Sequence, residues 1–148
     1  EGDPTVGALL LGKASQAAER GVEWRARIDA DAPRSVLSPV DAVSVVGNLI
    51  DNALDAAASG AAPRWVDVRM TRTAEDELAV EVADSGDGIP AEITDRIFAH
   101  GFSTKPAGEL GRGVGLALVR SIVEEAEGTI SVTSDPTTFR VILPRRNG

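Results

Sequence analysis

The feature that most limits the fold is the alternation of apolar and polar residues in most of the candidate strands. Residues 22–28 alternate strictly, and residues 65–71 and 78–84 also place an apolar side chain at every second position. Because neighbouring side chains of a strand point to opposite faces, each of these strands has one buried and one solvent-facing side. A parallel sheet that is covered on both faces would need continuous apolar strands instead. The pattern therefore predicts an α+β fold, a two-layer sandwich with helices packed on one face of a mixed, mainly antiparallel sheet.

The remaining elements follow from helical spacing and turn residues. Helices are predicted over residues 6–20, 38–58, 90–98 and 113–127, and two further strands over 130–134 and 137–143. Ser38 is suited to cap the long helix, Pro39 to occupy its first position and Gly60 to stop it. Residues 99–112 are rich in Gly, Ser, Thr and Pro, and they exceed the usual length of a connection. They are predicted to form a loop that is either functional or disordered.

Composition excludes several classes of site. The chain of 148 residues is 43% apolar and carries a net charge of −8, which fits one globular domain and argues against binding to a nucleic acid backbone. It has no cysteine and one histidine, so thiolate sites, disulfides and sites with two histidine ligands are excluded. The sequence shows no apolar run long enough to span a membrane and no signal peptide. The chain begins without an initiator Met, so we expect a fragment of a longer protein.

The long helix carries a narrow polar seam. Asn48, Asn52 and Asp55 are spaced so that they share one stripe, which Leu49, Ile50, Ala53 and Leu54 flank on both sides. Burying such groups without partners costs about 1–3 kcal/mol each. Hard oxygen donors of this kind suit Mg²⁺, which takes few protein ligands together with substrate phosphates. The alternative interpretation is a seam that simply faces water.

The strand over residues 78–84 ends in the segment DSGDGIP. Its alternation places Asp84 on the buried face, where an ionised carboxylate is costly unless it is hydrogen-bonded. That carboxylate could accept an N–H from a flat heterocycle, and Gly86 and Gly88 would let the backbone approach such a ligand. The alternative is an ordinary Asp-Gly turn at the end of a strand.

A glycine run, GRGVGL, opens the helix predicted over 113–127. A glycine-rich helix N-terminus is a ready anion site, and Lys105 and Arg112 add positive charge nearby. The run lacks the preceding strand of a dinucleotide-binding fold and the Gly-Lys-Ser/Thr of a P-loop, so neither of these motifs is present. Taken alone, the glycine run is weak evidence for an anion site.

The order of these segments is more specific than any one of them. It resembles the GHKL ATPase superfamily of gyrase, heat-shock chaperone ATPases, MutL and sensor histidine kinases. NLIDNALDA, DSGDGIP, IFAHGFSTK and GRGVGLALV resemble the four boxes of a sensor histidine kinase catalytic domain, which has a Bergerat fold. HGFSTK and the lead-in segment over residues 3–24 resemble the subgroup that senses di- and tricarboxylates. The resemblance covers roughly residues 4–145.

The resemblance implies roles for individual residues, with ATP and Mg²⁺ as cofactors. Asn48, Asn52 and Lys105 would be catalytic, and Asn52 would ligate Mg²⁺. Asp84 would accept the adenine amino group, and Thr138 would assist through its hydroxyl. The complete implied set of ATP-binding residues is Asn52, Asp55, Asp84, Gly86, Gly88, Ile89, Phe98, Phe102, Ser103, Thr104, Lys105, Gly111, Arg112, Gly113, Val114, Gly115, Leu116 and Thr138.

One position separates the branches of the superfamily. Gyrase and the chaperones carry a Glu one turn before the metal-binding Asn, whereas this chain has Asn48, which cannot take a proton. The resemblance therefore implies transfer of the γ-phosphoryl group to a histidine on an absent dimerisation domain. His100, the only histidine, would have a structural role in the lid loop. The alternatives are a protein serine kinase of the anti-sigma-factor type and a nucleotide-binding module that only docks.

The resemblance also implies an arrangement of domains and partners. Residues 1–20 would form the C-terminal end of the dimerisation helix hairpin or a linker, and residues 21–148 the ATP-binding catalytic domain. The partners would be the chain's own dimerisation and phosphoacceptor domain and a response regulator, with no nucleic acid. The parent protein would be a membrane-bound homodimer, with this domain in the cytoplasm.

Overall fold

Helices on one face of a five-stranded sheet form the observed architecture. The computed structural model describes residues 4–86, 110–134 and 136–146. In these ranges the elements are α1 (Pro4–Glu19), β1 (Glu23–Ile28), α2 (Pro39–Ser59), β2 (Trp65–Arg72), β3 (Leu78–Asp84), α3 (Leu110–Glu125), β4 (Thr129–Thr133) and β5 (Thr137–Leu143). The strand order is β1-β2-β3-β5-β4, in which β1 is parallel to β2 and the other pairs are antiparallel. The predicted mixed, mainly antiparallel sheet is confirmed.

The core lies between the sheet and α2, which packs between α1 and α3. Leu49, Ile50 and Leu54 of α2 are fully buried, as are the inward residues of β2, β3 and β5. Those inward sheet residues include Val66, Val68, Val80, Val82, Phe139 and Val141. On the opposite face, Arg140 and Glu81 form an ion pair of 2.9 Å between neighbouring strands, with both side chains partly exposed. One face of the sheet is thus covered and the other is charged, as the alternation predicts.

The ends of α2 follow the predicted chemistry, whereas those of α3 do not. Ser38 caps α2, since its hydroxyl accepts from the Asp41 N–H at 3.1 Å. Helix α3 begins at Leu110, so the predicted loop over 99–112 and the helix start at residue 113 are wrong at this boundary. Glycine lowers helix stability by only about 1 kcal/mol per residue, which the burial of Leu116, Val119 and Val123 outweighs. The helix ends at Glu125 rather than at 127, and the Gly128 N–H donates to the Val123 carbonyl at 2.9 Å.

Strand β1 differs from the sequence expectation on its apolar face. Trp24 packs against the core, but Ala26 is exposed and the side chain of Ile28 is 37% exposed. The strand lies at an edge of the sheet, where fewer neighbours cover it, so alternation alone overstates its burial. Within the ranges that the structure describes, no helix is both long and apolar enough to cross a membrane.

Candidate functional site

Asp84 lies at the end of β3 and is fully buried. Its neighbours across the sheet are Val66 on β2 and Thr137 on β5. The Gly86 N–H donates to Asp84 Oδ1 at 2.8 Å, which closes a tight turn immediately after the strand. The predicted inward direction of this side chain is confirmed, and a buried carboxyl group therefore lies between Val66 and Thr137 at one end of the sheet.

Gly86 brings this turn into contact with α2. A Cβ atom added at Gly86 would lie 2.6 Å from the Ala56 carbonyl oxygen and 2.7 Å from the Ala56 carbonyl carbon. Real Cβ atoms do not approach backbone so closely, so only glycine permits this contact. Ala56 is one helical turn after Asn52, and the turn that follows Asp84 therefore lies beside the polar seam of α2.

The other end of the seam contacts α3. The Asn48 side chain donates from Nδ2 to the Ser44 carbonyl at 2.6 Å. Its Oδ1 lies where a side chain at Gly115 would project, because a Cβ atom there would be 2.7 Å away. Asn52, between these two contacts, is only 5% exposed. Two turns of α2, about 12 Å, thus connect the Asp84 turn with the glycine run of α3.

Asp55 departs from the expectation that it faces the pocket with the two asparagines. Its Oδ1 lies 2.9 Å from Nη1 of Arg20, so the carboxylate turns toward the end of α1. Asp51, directly before Asn52, likewise pairs with α1, where its Oδ1 lies 2.6 Å from Nζ of Lys13. Helical spacing places Asp55 near the seam but does not show that a neighbouring helix supplies its partner.

The two threonines at the start of β5 point to opposite faces of the sheet. Thr138 is opposite Ala83, and its hydroxyl donates to the Pro136 carbonyl at 3.0 Å. Consecutive strand residues face opposite sides of the sheet, so Thr138 points away from Asp84, unlike the orientation that the resemblance implies for it. Thr137 lies beside Asp84 and is 4% exposed. Among the described residues its Oγ1 has no hydrogen-bond partner. Thr137 has the same strand parity as the apolar residues Phe139, Val141 and Leu143. The sequence therefore already indicates that its side chain points inward.

The remaining predicted site residues divide into two groups. The backbone of residues 111–116 forms the first turns of α3, and Leu116 is buried in the core. Gly88, Ile89, Phe98, His100, Phe102, Ser103, Thr104 and Lys105 lie outside the described residues, as do the side chains of Arg112 and Val114. The predicted helix over 90–98 lies outside them as well. Their roles stay predictions.

Comparisons with known proteins show what the chain is similar to. Residues 38–147 match the family model of the histidine kinase-, DNA gyrase B- and HSP90-like ATPases. The chain is 40% identical to a probable C4-dicarboxylate sensor kinase of Halalkalibacterium halodurans over 97% of its own length and 28% of the relative's. It is 42% identical to the sensor protein CitS of that organism, over 86% of its own length and 24% of the relative's. The chain therefore spans about a quarter of the length of these curated relatives.

A solved structure shows the same fold. The nucleotide-free catalytic domain of the histidine kinase ThkA superposes with a TM-score of 0.78 at 22% identity. The match covers 95% of this chain and 93% of that domain. The chain thus has the same fold as that solved domain.

Proposed function

This chain belongs to the family of histidine kinase-, DNA gyrase B- and HSP90-like ATPases, and from that premise we propose that it binds Mg²⁺-ATP and donates the γ-phosphoryl group to a histidine of a separate dimerisation domain. One observation carries the proposal. The Asp84 turn and the glycine run of α3 contact the same helix, at Ala56 and Asn48, on either side of the buried Asn52. A nucleotide lying along α2 would meet a buried acceptor at one end and a helix N-terminus at the other.

The adenine end is formed by β3 and β5. The Asp84 carboxylate accepts the exocyclic N–H of adenine, because it is buried at the end of β3 and a hydrogen bond to a carboxylate is stronger than one between neutral groups. The Thr137 hydroxyl lies beside it and offers both a donor and an acceptor. This pair selects adenine over a base that lacks the amino group.

The phosphate end is formed by α2 and α3. The N-terminus of α3 presents backbone N–H groups and the positive end of the helix dipole to an anion. Lys105 and Arg112 would add positive charge, as the family resemblance implies. The Asn52 carboxamide fits a magnesium ligand, since it is a neutral hard-oxygen donor on a rigid and buried turn. When bound, Mg²⁺ supplies charge neutralisation at the β- and γ-phosphates.

The residue at position 48 favours transfer to a protein side chain over hydrolysis. A carboxamide has no basic form at neutral pH, and the nitrogen of Asn48 already donates to the Ser44 carbonyl. Asn48 therefore cannot take a proton from an attacking water. The reaction depends on a nucleophile supplied by another domain, and the chain's own residues bind and orient the triphosphate.

We propose the following context for the whole protein. The 40% identity to a C4-dicarboxylate sensor kinase supports a sensor kinase of that subgroup, with a response regulator as the next acceptor. Residues 1–20 would be the end of the dimerisation hairpin or a linker, docked on a catalytic domain of residues 21–148. The parent would be a membrane-bound homodimer with this domain on the cytoplasmic side.

Calorimetry with a non-hydrolysable ATP analogue, with and without Mg²⁺, tests the binding half of the proposal. Asp84→Asn should weaken binding by about 10- to 150-fold, the value of a hydrogen bond to a charged group. A phosphate-release assay tests the other half, and the expected turnover is very slow. Fast release by this domain alone, or no loss on Asp84→Asn in a folded protein, would contradict the proposal.

A further inference from the structure

Helix α1 precedes the segment that matches the family model, yet it contacts α2 next to Asn52. Lys13 of α1 and Arg20, the residue directly after α1, form ion pairs with Asp51 and Asp55 of α2, at 2.6 Å and 2.9 Å. One of these acids directly precedes Asn52, and the other follows it by less than one turn of the helix. The two carboxylates closest to Asn52 along α2 are therefore both neutralised by α1.

The packing of α1 against α2 holds Lys13 in place. Val6, Leu10 and Ala17 of α1 are buried in the same core as α2. The Leu9 side chain covers Gly47, where an added Cβ would be 3.8 Å from its Cδ2. The Lys13 side chain is only 12% exposed, and lysine is rarely so buried unless it is paired. The ion pair of Lys13 thus borders a packed helix interface, whereas the ion pair of Arg20 is more exposed.

Neutralisation matters at this place because the proposed substrate is strongly anionic. Unpaired carboxylates beside Asn52 would repel a triphosphate, and charges within about one Debye length, roughly 8 Å in physiological salt, act on each other with little screening. The whole chain carries a net charge of −8, so the charges of its other residues do not compensate these two carboxylates. Docking of α1 removes two negative charges from the edge of the site.

We infer that α1 controls the affinity for nucleotide by neutralising Asp51 and Asp55. With α1 docked, Lys13 and Arg20 let Mg²⁺-ATP approach the seam of α2. When α1 moves away, the two carboxylates lose their partners and the triphosphate binds more weakly. Lys13 and Arg20 are positioning residues in this scheme, since they act through the carboxylates they pair with. The inference rests on the proposed function.

The double variant Lys13→Met/Arg20→Met of the full chain tests this inference. Methionine keeps most of the apolar stem of each side chain, so the packing of α1 is retained. Affinity for Mg²⁺-ATP should fall by about three- to tenfold, the range of two partly exposed charge interactions. Affinity for adenosine should not change, and the loss should shrink as salt is raised from about 0.05 M to about 0.5 M.

A second variant separates charge from packing. Adding Asp51→Asn and Asp55→Asn to the double variant removes the uncompensated carboxylates and should restore most of the lost ATP affinity. If the ion pairs were only structural, the affinity for ATP should not recover. Thermal unfolding of each variant shows whether it is folded. If the double variant is unstable, the single variant Arg20→Gln is compared with the wild-type chain for ATP affinity instead.

Arg140→Met provides a matched control. The pair between Arg140 and Glu81 has the same separation, 2.9 Å, and nearly the same side-chain exposure as the pair between Arg20 and Asp55. It lies on the charged face of the sheet, away from α2, so its loss should leave ATP affinity unchanged.

The outcomes distinguish this inference from the proposed function. If the wild-type chain binds ATP and the double variant binds it equally well, α1 does not control affinity and the inference is overturned alone. Failure of the neutralised variant to recover affinity also overturns it. A wild-type chain that binds no ATP overturns the proposed function and this inference together.

Discussion

Thr137→Val is a substitution that should move stability and affinity in opposite directions. The two side chains have nearly the same shape, so the change replaces one buried hydroxyl by a methyl group. Thr137 is 4% exposed, and its Oγ1 has no hydrogen-bond partner among the described residues. Leaving a buried hydroxyl unpaired costs about 1–3 kcal/mol in measured protein series. The nucleotide-free protein should therefore gain about 1 kcal/mol, which raises the melting temperature by about 2–5 °C for a domain of this size.

ATP binding should show the reverse effect. If the hydroxyl lies beside the adenine together with Asp84, its loss removes one hydrogen bond, worth about 0.5–1.5 kcal/mol or a two- to twelvefold loss of affinity. Urea unfolding without nucleotide gives the first quantity, and calorimetry with a non-hydrolysable ATP analogue gives the second.

Thr138→Val is the matched control, because its hydroxyl donates to the Pro136 carbonyl at 3.0 Å on the other face of the sheet. It should lose about 0.5–1 kcal/mol of stability and no affinity. If Thr137→Val instead destabilises the free protein and leaves ATP affinity unchanged, the hydroxyl is structural and the argument for the adenine pocket fails at this residue.

Four further substitutions test the site and the core. Asn52→Ala should remove the Mg²⁺-dependent part of ATP affinity, measured by titration with and without EDTA, and an unchanged dependence would place the metal elsewhere. Gly86→Ala should destabilise the fold by about 1–3 kcal/mol and weaken ATP binding, because its Cβ would be 2.6 Å from the Ala56 carbonyl oxygen. Gly12→Ala, where a Cβ meets nothing within 4 Å, should stabilise by about 0.5–1 kcal/mol in the same urea assay, and equal effects of the two alanines would refute the contact argument. Phe139→Ala should cost about 3–5 kcal/mol, since that ring is fully buried, and a loss below about 1 kcal/mol would contradict the packing.

Local rules predict much of this fold because they depend on few neighbours. The cap at Ser38 needs only the N–H of Asp41, and its position was readable from the sequence. The inward direction of Asp84 follows from the parity of its own strand, as does that of Val80. These features survive because tertiary packing reinforces them.

Features that depend on a distant element could not be predicted in the same way. The partner of Asp55 is Arg20, and no pattern along α2 indicates that α1 passes there. Helix α3 includes the glycine run because its later residues Leu116, Val119 and Val123 are buried in the core, which outweighs the low helix propensity of glycine. Thr137 is different, because the parity of β5 is readable from the sequence and places its side chain on the same face as Asp84.

The two edges of the sheet differ in how well they resist pairing with another molecule. At one edge, β1 carries Glu23, Arg25 and Arg27, charges that discourage an incoming strand. At the other edge, β4 (Thr129–Thr133) has no charged residue and consists largely of β-branched side chains, and in the described part of the chain β5 is its only neighbouring strand. In the described part of the chain, the outward backbone groups of β4 therefore face no second strand and line an uncharged edge. In concentrated solution we expect intermolecular strand addition to begin at that edge rather than at β1.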